Sequence, residues 1–174
     1  INVKVLEAIR IQAQSAIDYE EVIEGLKESQ AATDIRTQLN AAVQSLTLRI
    51  RGIANKRAKL YEDYTEGILD ESEYTFIKST YDTEHNSLNR QLEEAVLRRN
   101  SFAESLSADN KWITLMKSVS SASELTKELV EAAIERVEVT EKKDIILTMK
   151  YHEIYETGKK HIEEIKAKES EANG

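Results

Sequence analysis

The 174-residue chain has no cysteine, no proline and only five glycines. Without cysteine there is no disulfide framework, no thiolate zinc site and no Cys nucleophile, which fits a reducing, cytoplasmic setting. Proline removes a backbone donor and clashes with the preceding helical turn, so its absence over this length favours long helices. No apolar run approaches the roughly 18 residues that a membrane span needs, and the N-terminus lacks a signal-peptide pattern, so no membrane partner is expected. Positive charge is in deficit: 24 Lys and Arg stand against 32 Asp and Glu, for a net charge of −8. A chain that gripped nucleic acid unaided would usually be basic, so a free-standing DNA clamp is not expected. With 40% hydrophobic and 32% charged residues, the chain has the makings of one ordinary domain or two small ones. Its opening Ile1, in place of Met, fits a piece excised from something larger.

What is present is helical periodicity. Residues 3–28 repeat Leu6, Ile9, Ala13 and Ala16 or Ile17, then Val22, Ile23 and Leu26, at steps of three and four. Asp18 with Glu21 matches a capping box, so this stretch reads as one helix or two. Residues 29–34 are small and polar and read as a loop, with Asp34 as the next cap. Residues 35–66 then carry Leu39, Val43, Leu46, Ile50, Ile53, Arg57, Leu60 and Tyr64 in alternating steps of four and three, the heptad seam of a coiled coil. Arg57 intrudes, but its stem can lie along the seam while its charge reaches water. Gly67 suits a left-handed helix end, and Asp70 with Glu73 matches the capping box of a returning helix from Glu71 to Leu106. That helix places Tyr74, Tyr81, Leu88, Ala95 and Phe102 seven apart, with Ile77, Leu92, Arg99 and Leu106 between them. A link this short makes the two helices antiparallel neighbours.

Beyond Asn110, Trp112–Met116 reads as a short apolar helix, Ser118–Ser123 as a serine-rich break, and Leu125–Arg136 as a helix capped by Thr126 and stapled by Leu125 and Val130. Alternation then takes over. Val137 and Val139, then Ile145, Leu147, Met149 and Tyr151, share a face at period two around a polar turn at 140–144, a β-hairpin. Residues 152–168 read as a polar amphipathic helix and 169–174 as frayed. The expected fold is mainly α: a long antiparallel two-helix coiled-coil arm over 35–106, with its tip near 61–77. Residues 1–34 and 107–151 form a small helical base with a short β-hairpin, and 152–174 a helical tail.

Familiar catalytic patterns do not complete themselves. His152-Glu153-Ile154-Tyr155-Glu156 begins like a zinc-protease motif, but His161 lies nine residues on and off the required face. Gly158-Lys159-Lys160 lacks an upstream phosphate-cradling loop. Serines 118–123 form no nucleophile elbow and have no convincing His partner, and the carboxylates sit on predicted solvated faces without a legible cleft to shift them. The tip is different. Tyr61, Tyr64, Ile68, Leu69, Tyr74, Phe76 and Ile77 crowd the hairpin end. Either Tyr64 and Tyr74 merely close the seam with Ile68 tucked under the Gly67 cap, or Tyr61, Tyr64, Ile68, Leu69, Tyr74 and Ile77 form a docking surface, a role tyrosine fills well. Arg49, Arg51, Lys56, Arg57 and Lys59 line the shaft, while Glu62, Asp63, Glu66, Asp70, Glu71 and Glu73 surround the tip. Two crossing arms would set unlike charges side by side.

Three stretches in order carry a likeness: Val5-Leu6-Glu7-Ala8-Ile9-Arg10, the tip from Leu60 to Tyr74, and Leu125 to Val139 with the strand after it. The chain resembles the C-terminal region of large serine recombinases, the phage integrases and transposon resolvases that cut and rejoin DNA. The resemblance implies a coiled-coil arm that bridges DNA-bound subunits in synapsis and helps control integration versus excision. Its partners would be other recombinase subunits through their arm tips, a recombination directionality factor, and DNA through the parent protein, in a bacterial or phage-encoded cytoplasmic setting. The catalytic domain and the four zinc-binding cysteines of the family's ribbon are missing. The fragment would then begin after the ribbon, with no cofactor of its own, zinc belonging to the parent's ribbon, and no cleavage activity. Arg136, Lys142, Lys143 and Lys150 remain as candidates for phosphate contact. The competing expectation, from a different class, is a structural coiled-coil spacer without a role in recombination.

Overall fold

In a computed structural model, which describes residues 2–120, 122–141 and 145–172, the chain is mainly helical. Its elements run α1 (Asn2–Leu26), α2 (Gln30–Thr65), α3 (Glu71–Ser105), α4 (Lys111–Val119), α5 (Lys127–Ala133), β1 (Ile134–Val139), β2 (Ile145–Met149) and α6 (His152–Ala172). They divide into two units, Ile1–Ile35 with Ser101–Gly174, and Arg36–Asn100. The expected arm boundaries thus contract at both ends.

The first unit is organised by α1. It is one continuous helix: Asp18 caps nothing and accepts from Gln14 Nε2 at 3.0 Å within the helix. Its buried stripe, Val5, Ile9, Ala13, Ala16, Tyr19 and Ile23, recurs at helical spacing. The loop expected at 29–34 shrinks to residues 27–29. Ser29 Oγ accepts from Ala32 N at 3.2 Å and starts α2, whereas Asp34 takes a hydrogen bond from Gln30 Nε2 inside the helix. Ala31 and Ala32 are buried. Small residues that look loop-like here are strong helix formers on a close-packed face.

Asn110 caps α4, its side chain accepting from Ile113 N. Thr126 caps α5 as expected, accepting from Leu129 N. The helix ends at Ala133, three residues before the expected Arg136. Ile134 is already extended and pairs with Met149, and both side chains are buried. Burial of that pair outweighs continuation of a short helix. The strands are antiparallel, with Val137 opposite Leu147 and Val139 opposite Ile145, and a bulge separates Ile134 from Arg136. The residues expected as a tail belong to the first unit. Helix α6 extends to Ala172, past the expected fraying point, and buries Gly158, Ile162 and Ile165.

Three rings knit α1, α4 and α6 together. Trp112 stacks on Tyr155 with centroids 4.2 Å apart, and Tyr19 meets both edge-on at 5.8 and 5.4 Å. The Tyr19 hydroxyl donates to the carbonyl of Ser105 at 3.0 Å, at the end of α3. Gly158 makes this fit: a Cβ there would lie 1.6 Å from that hydroxyl oxygen. Gly158 therefore has a packing role, where the sequence offered only a failed phosphate loop. Two histidines also make packing or polar contacts in this unit. His161 Nδ1 lies 2.9 Å from Ser105 Oγ and the ring meets Phe102 edge-on, while His152 Nε2 is 3.7 Å from Glu156.

The second unit is a helical hairpin of the remaining lengths of α2 and α3. Its seam follows the heptads. Ile53, Leu60 and Leu88 are buried, and Val43, Leu46, Ile50, Ile77, Tyr81 and Leu92 are half-buried. Arg57 does not simply reach water: its guanidinium pairs with Asp82 on α3 at 2.9 Å. At the next seam position His85, half-buried, takes the place of an apolar residue and meets Asn89 at 3.0 Å.

Gly158→Ala should destabilise the chain by about 1–3 kcal/mol through overpacking, despite Ala's roughly 1 kcal/mol helix advantage. Tyr19→Leu in the same chain should recover part of the loss; urea denaturation of both singles and the double measures that coupling. Tyr19 supplies a second test. Burial, with Tyr155 adding to it, pushes the hydroxyl above the ordinary value of 10.0. The folded chain thus holds this proton more tightly than the unfolded chain. The stability this contributes is complete below pH 10.0 and falls as pH rises from there towards the folded value. Alkaline titration followed by tyrosinate absorbance and helicity should show Tyr19 ionising only as the fold opens.

Candidate docking site at the hairpin tip

Helix α2 ends in a backbone arrangement that only a left-handed residue completes. Gly67 takes φ 72. Its N–H donates to the Tyr64 carbonyl at 3.1 Å, and the Ile68 N–H reaches back to the Asp63 carbonyl at 2.9 Å. These two bonds are the Schellman pattern. That pattern usually carries an apolar contact from the residue after glycine to the last helical turn. Here the facing positions are Glu62 and Asp63, so Ile68 finds no apolar partner there and is 64% exposed. Ile68 therefore does not tuck under the Gly67 cap as the sequence allowed.

The returning helix is capped reciprocally. Asp70 Oδ1 accepts from Glu73 N at 2.8 Å, and Glu73 Oε2 accepts from Asp70 N at 3.0 Å. Tyr64 and Tyr74 then close the seam as a stacked pair, with centroids 4.4 Å apart and planes 20° apart. Both are half-buried, as are Leu69 and Ile77. The free apolar surface belongs to others: Tyr61 is 59% exposed and Phe76 is 73% exposed. The six expected tip residues thus split. Tyr61 and Ile68 face solvent, while Tyr64, Leu69, Tyr74 and Ile77 mainly complete the hairpin. Phe76 is the most exposed large apolar side chain of the tip. The signal for that exposure was its position between Tyr74 and Ile77, off both rows of the seam.

The surrounding charges are partly committed. Lys59 bridges Glu62 and Asp63 at 3.6 and 3.0 Å, and its hydrogen bond to Asp63 raises its pKa. Lys56 lies 5.9 Å over the Tyr81 ring. Arg49 and Arg51 are exposed. Beside Phe76, an open depression is lined by Asp70, Glu71, Ser72, Thr75 and Ser79. Among the phosphate candidates, Arg136 pairs with Glu138 at 3.2 Å and Lys150 Nζ donates to the Glu131 carbonyl at the end of α5. Lys142 and Lys143 lie outside the described residues. Among the described residues no group of His, Cys, Asp and Glu is placed to hold a metal ion, and no helix is long and apolar enough to cross a membrane. Compared with known proteins, the chain matches no family model, no curated protein and no solved structure.

Gly67→Ala and Asp70→Ala should each loosen the bend by about 1 kcal/mol, through left-handed strain and loss of a cap respectively. Amide hydrogen exchange should show protection around residues 66–75 falling about fivefold, with the core of the first unit unchanged.

Proposed function

We propose that this chain is a protein–protein interaction module of a site-specific DNA recombinase, whose hairpin tip bridges DNA-bound subunits in synapsis and biases integration against excision. One observation carries the reading. The bend is fully capped by its own backbone and by Asp70 and Glu73, yet Tyr61, Ile68 and Phe76 remain exposed around it. An ordered shape with uncovered aromatic and aliphatic surface is what a docking hot spot requires. The three stretches resembling serine recombinases, in family order, supply the setting. The acidic collar would then steer the tip towards basic surfaces such as Arg49 and Arg51 of another subunit's shaft, governing register and approach more than affinity. DNA cleavage and zinc binding belong to other parts of the parent in this reading.

Ile68→Asp tests it in the whole recombinase. The side chain is mostly exposed, so helicity and single-site DNA binding should stay unchanged while synapsis is lost. Phe76→Asp should behave alike. Tyr64→Ala should also abolish synapsis, but it removes the ring stack as well, so it is the weaker test. Mobility-shift and synapsis assays separate these steps. Recombination at the parental rate in Ile68→Asp and Phe76→Asp would overturn the proposal and favour a plain spacer.

A further inference from the structure

Strand β1 is an edge strand of a two-stranded sheet. Among the described residues β2 is its single strand neighbour. Ile134 is buried, but the following five residues of β1 are all exposed, whereas β2 buries Met149 and half-buries Ile145, Leu147 and Thr148. Val137 is 48% and Val139 67% exposed. Their register with Leu147 and Ile145 sets these four side chains on one face, with Arg136, Glu138, Ile146 and Thr148 on the other. Two-stranded sheets are marginal in water, and an open edge presents backbone donors and acceptors to another strand.

The order of charges selects the occupant. Edge charges commonly keep copies of a protein apart. Those of β1 do the reverse. Antiparallel pairing of two β1 strands about Val137 sets Arg136 opposite Glu138 of the second copy, and Glu138 opposite that copy's Arg136. Within one chain Arg136 Nη1 already lies 3.2 Å from Glu138 Oε1. Two such pairs, edge to edge, give each charge unlike neighbours both along and across the strands. Val137 meets its own counterpart on the apolar face, next to Leu147 of each copy. Sliding the centre to Arg136 sets Arg against Arg, and sliding it to Glu138 sets Glu against Glu. One register is therefore favoured over its nearest alternatives.

We propose that β1 is a self-association edge, at which two copies of this chain join antiparallel about Val137 into a four-stranded sheet. This interface is separate from the hairpin tip. Sedimentation equilibrium of the 174-residue chain over the micromolar range tests it, with Arg136→Glu, Glu138→Arg, the double exchange, and an equimolar mixture of the two single variants. Both side chains are exposed, so circular dichroism should show unchanged helicity. The parent chain should dimerise. Each single reversal should weaken the dimer by about tenfold or more, because both cross-strand pairs become like-charged. The double exchange and the mixture should restore it, since each returns unlike charges to both positions. Amide exchange at residues 135–139 of the parent chain should slow as concentration rises. A chain that stays monomeric throughout, or a dimer indifferent to both reversals, would overturn the proposal.

Discussion

The packing of Tyr19 is the constraint around which the first unit is arranged. One side chain on α1 meets a ring from α4, a ring from α6 and a carbonyl at the end of α3. A tyrosine can do this because its ring supplies apolar area while its hydroxyl satisfies a polar group in the interior. The arrangement admits no slack on the α6 side, where only a missing side chain leaves room for the hydroxyl. A helix that looks too polar to be more than a tail is thereby drawn into the core. The unit thus rests on shape as much as on hydrophobicity.

The hairpin follows a different logic. Its seam is apolar at Ile53, Leu60 and Leu88, and polar where Arg57 meets Asp82 and His85 meets Asn89. A partly exposed ion pair adds little stability. What it can add is alignment, because a sliding helix would part Arg57 from Asp82. The Tyr64–Tyr74 stack repeats the alignment nearer the bend. The two contacts lie seven residues apart on α2 and eight on α3, as antiparallel helices in one fixed register require.

Much of this was legible in the sequence because the signals were local and chemically specific. Heptad spacing found the two long helices. Gly67, Asp70 and Glu73 found the bend together with its hydrogen bonds. Alternation found the β-hairpin. The failures arose where tertiary packing decided. Asp18 with Glu21 looked like a helix start, but the stripe from Val5 to Ile23 runs unbroken beneath it. Ala31 and Ala32 looked like loop and were core. The α5 periodicity ran on into Ile134, whose burial against Met149 made it strand. Gly158 could not be interpreted without knowing that Tyr19 lay across from it. At the tip, seam spacing found the Tyr64–Tyr74 pair but not the exposure of Phe76, since heptads report what is paired within the hairpin and not what is left over.

The way the bend is closed has a consequence for how such a chain can change over time. Its geometry is held by main-chain groups, a glycine and two acidic caps, none of which is an apolar contact residue. The exposed side chains at positions 61, 68 and 76 can therefore be exchanged for others with little penalty to folding. The surface at the tip can therefore vary while the scaffold beneath it stays the same.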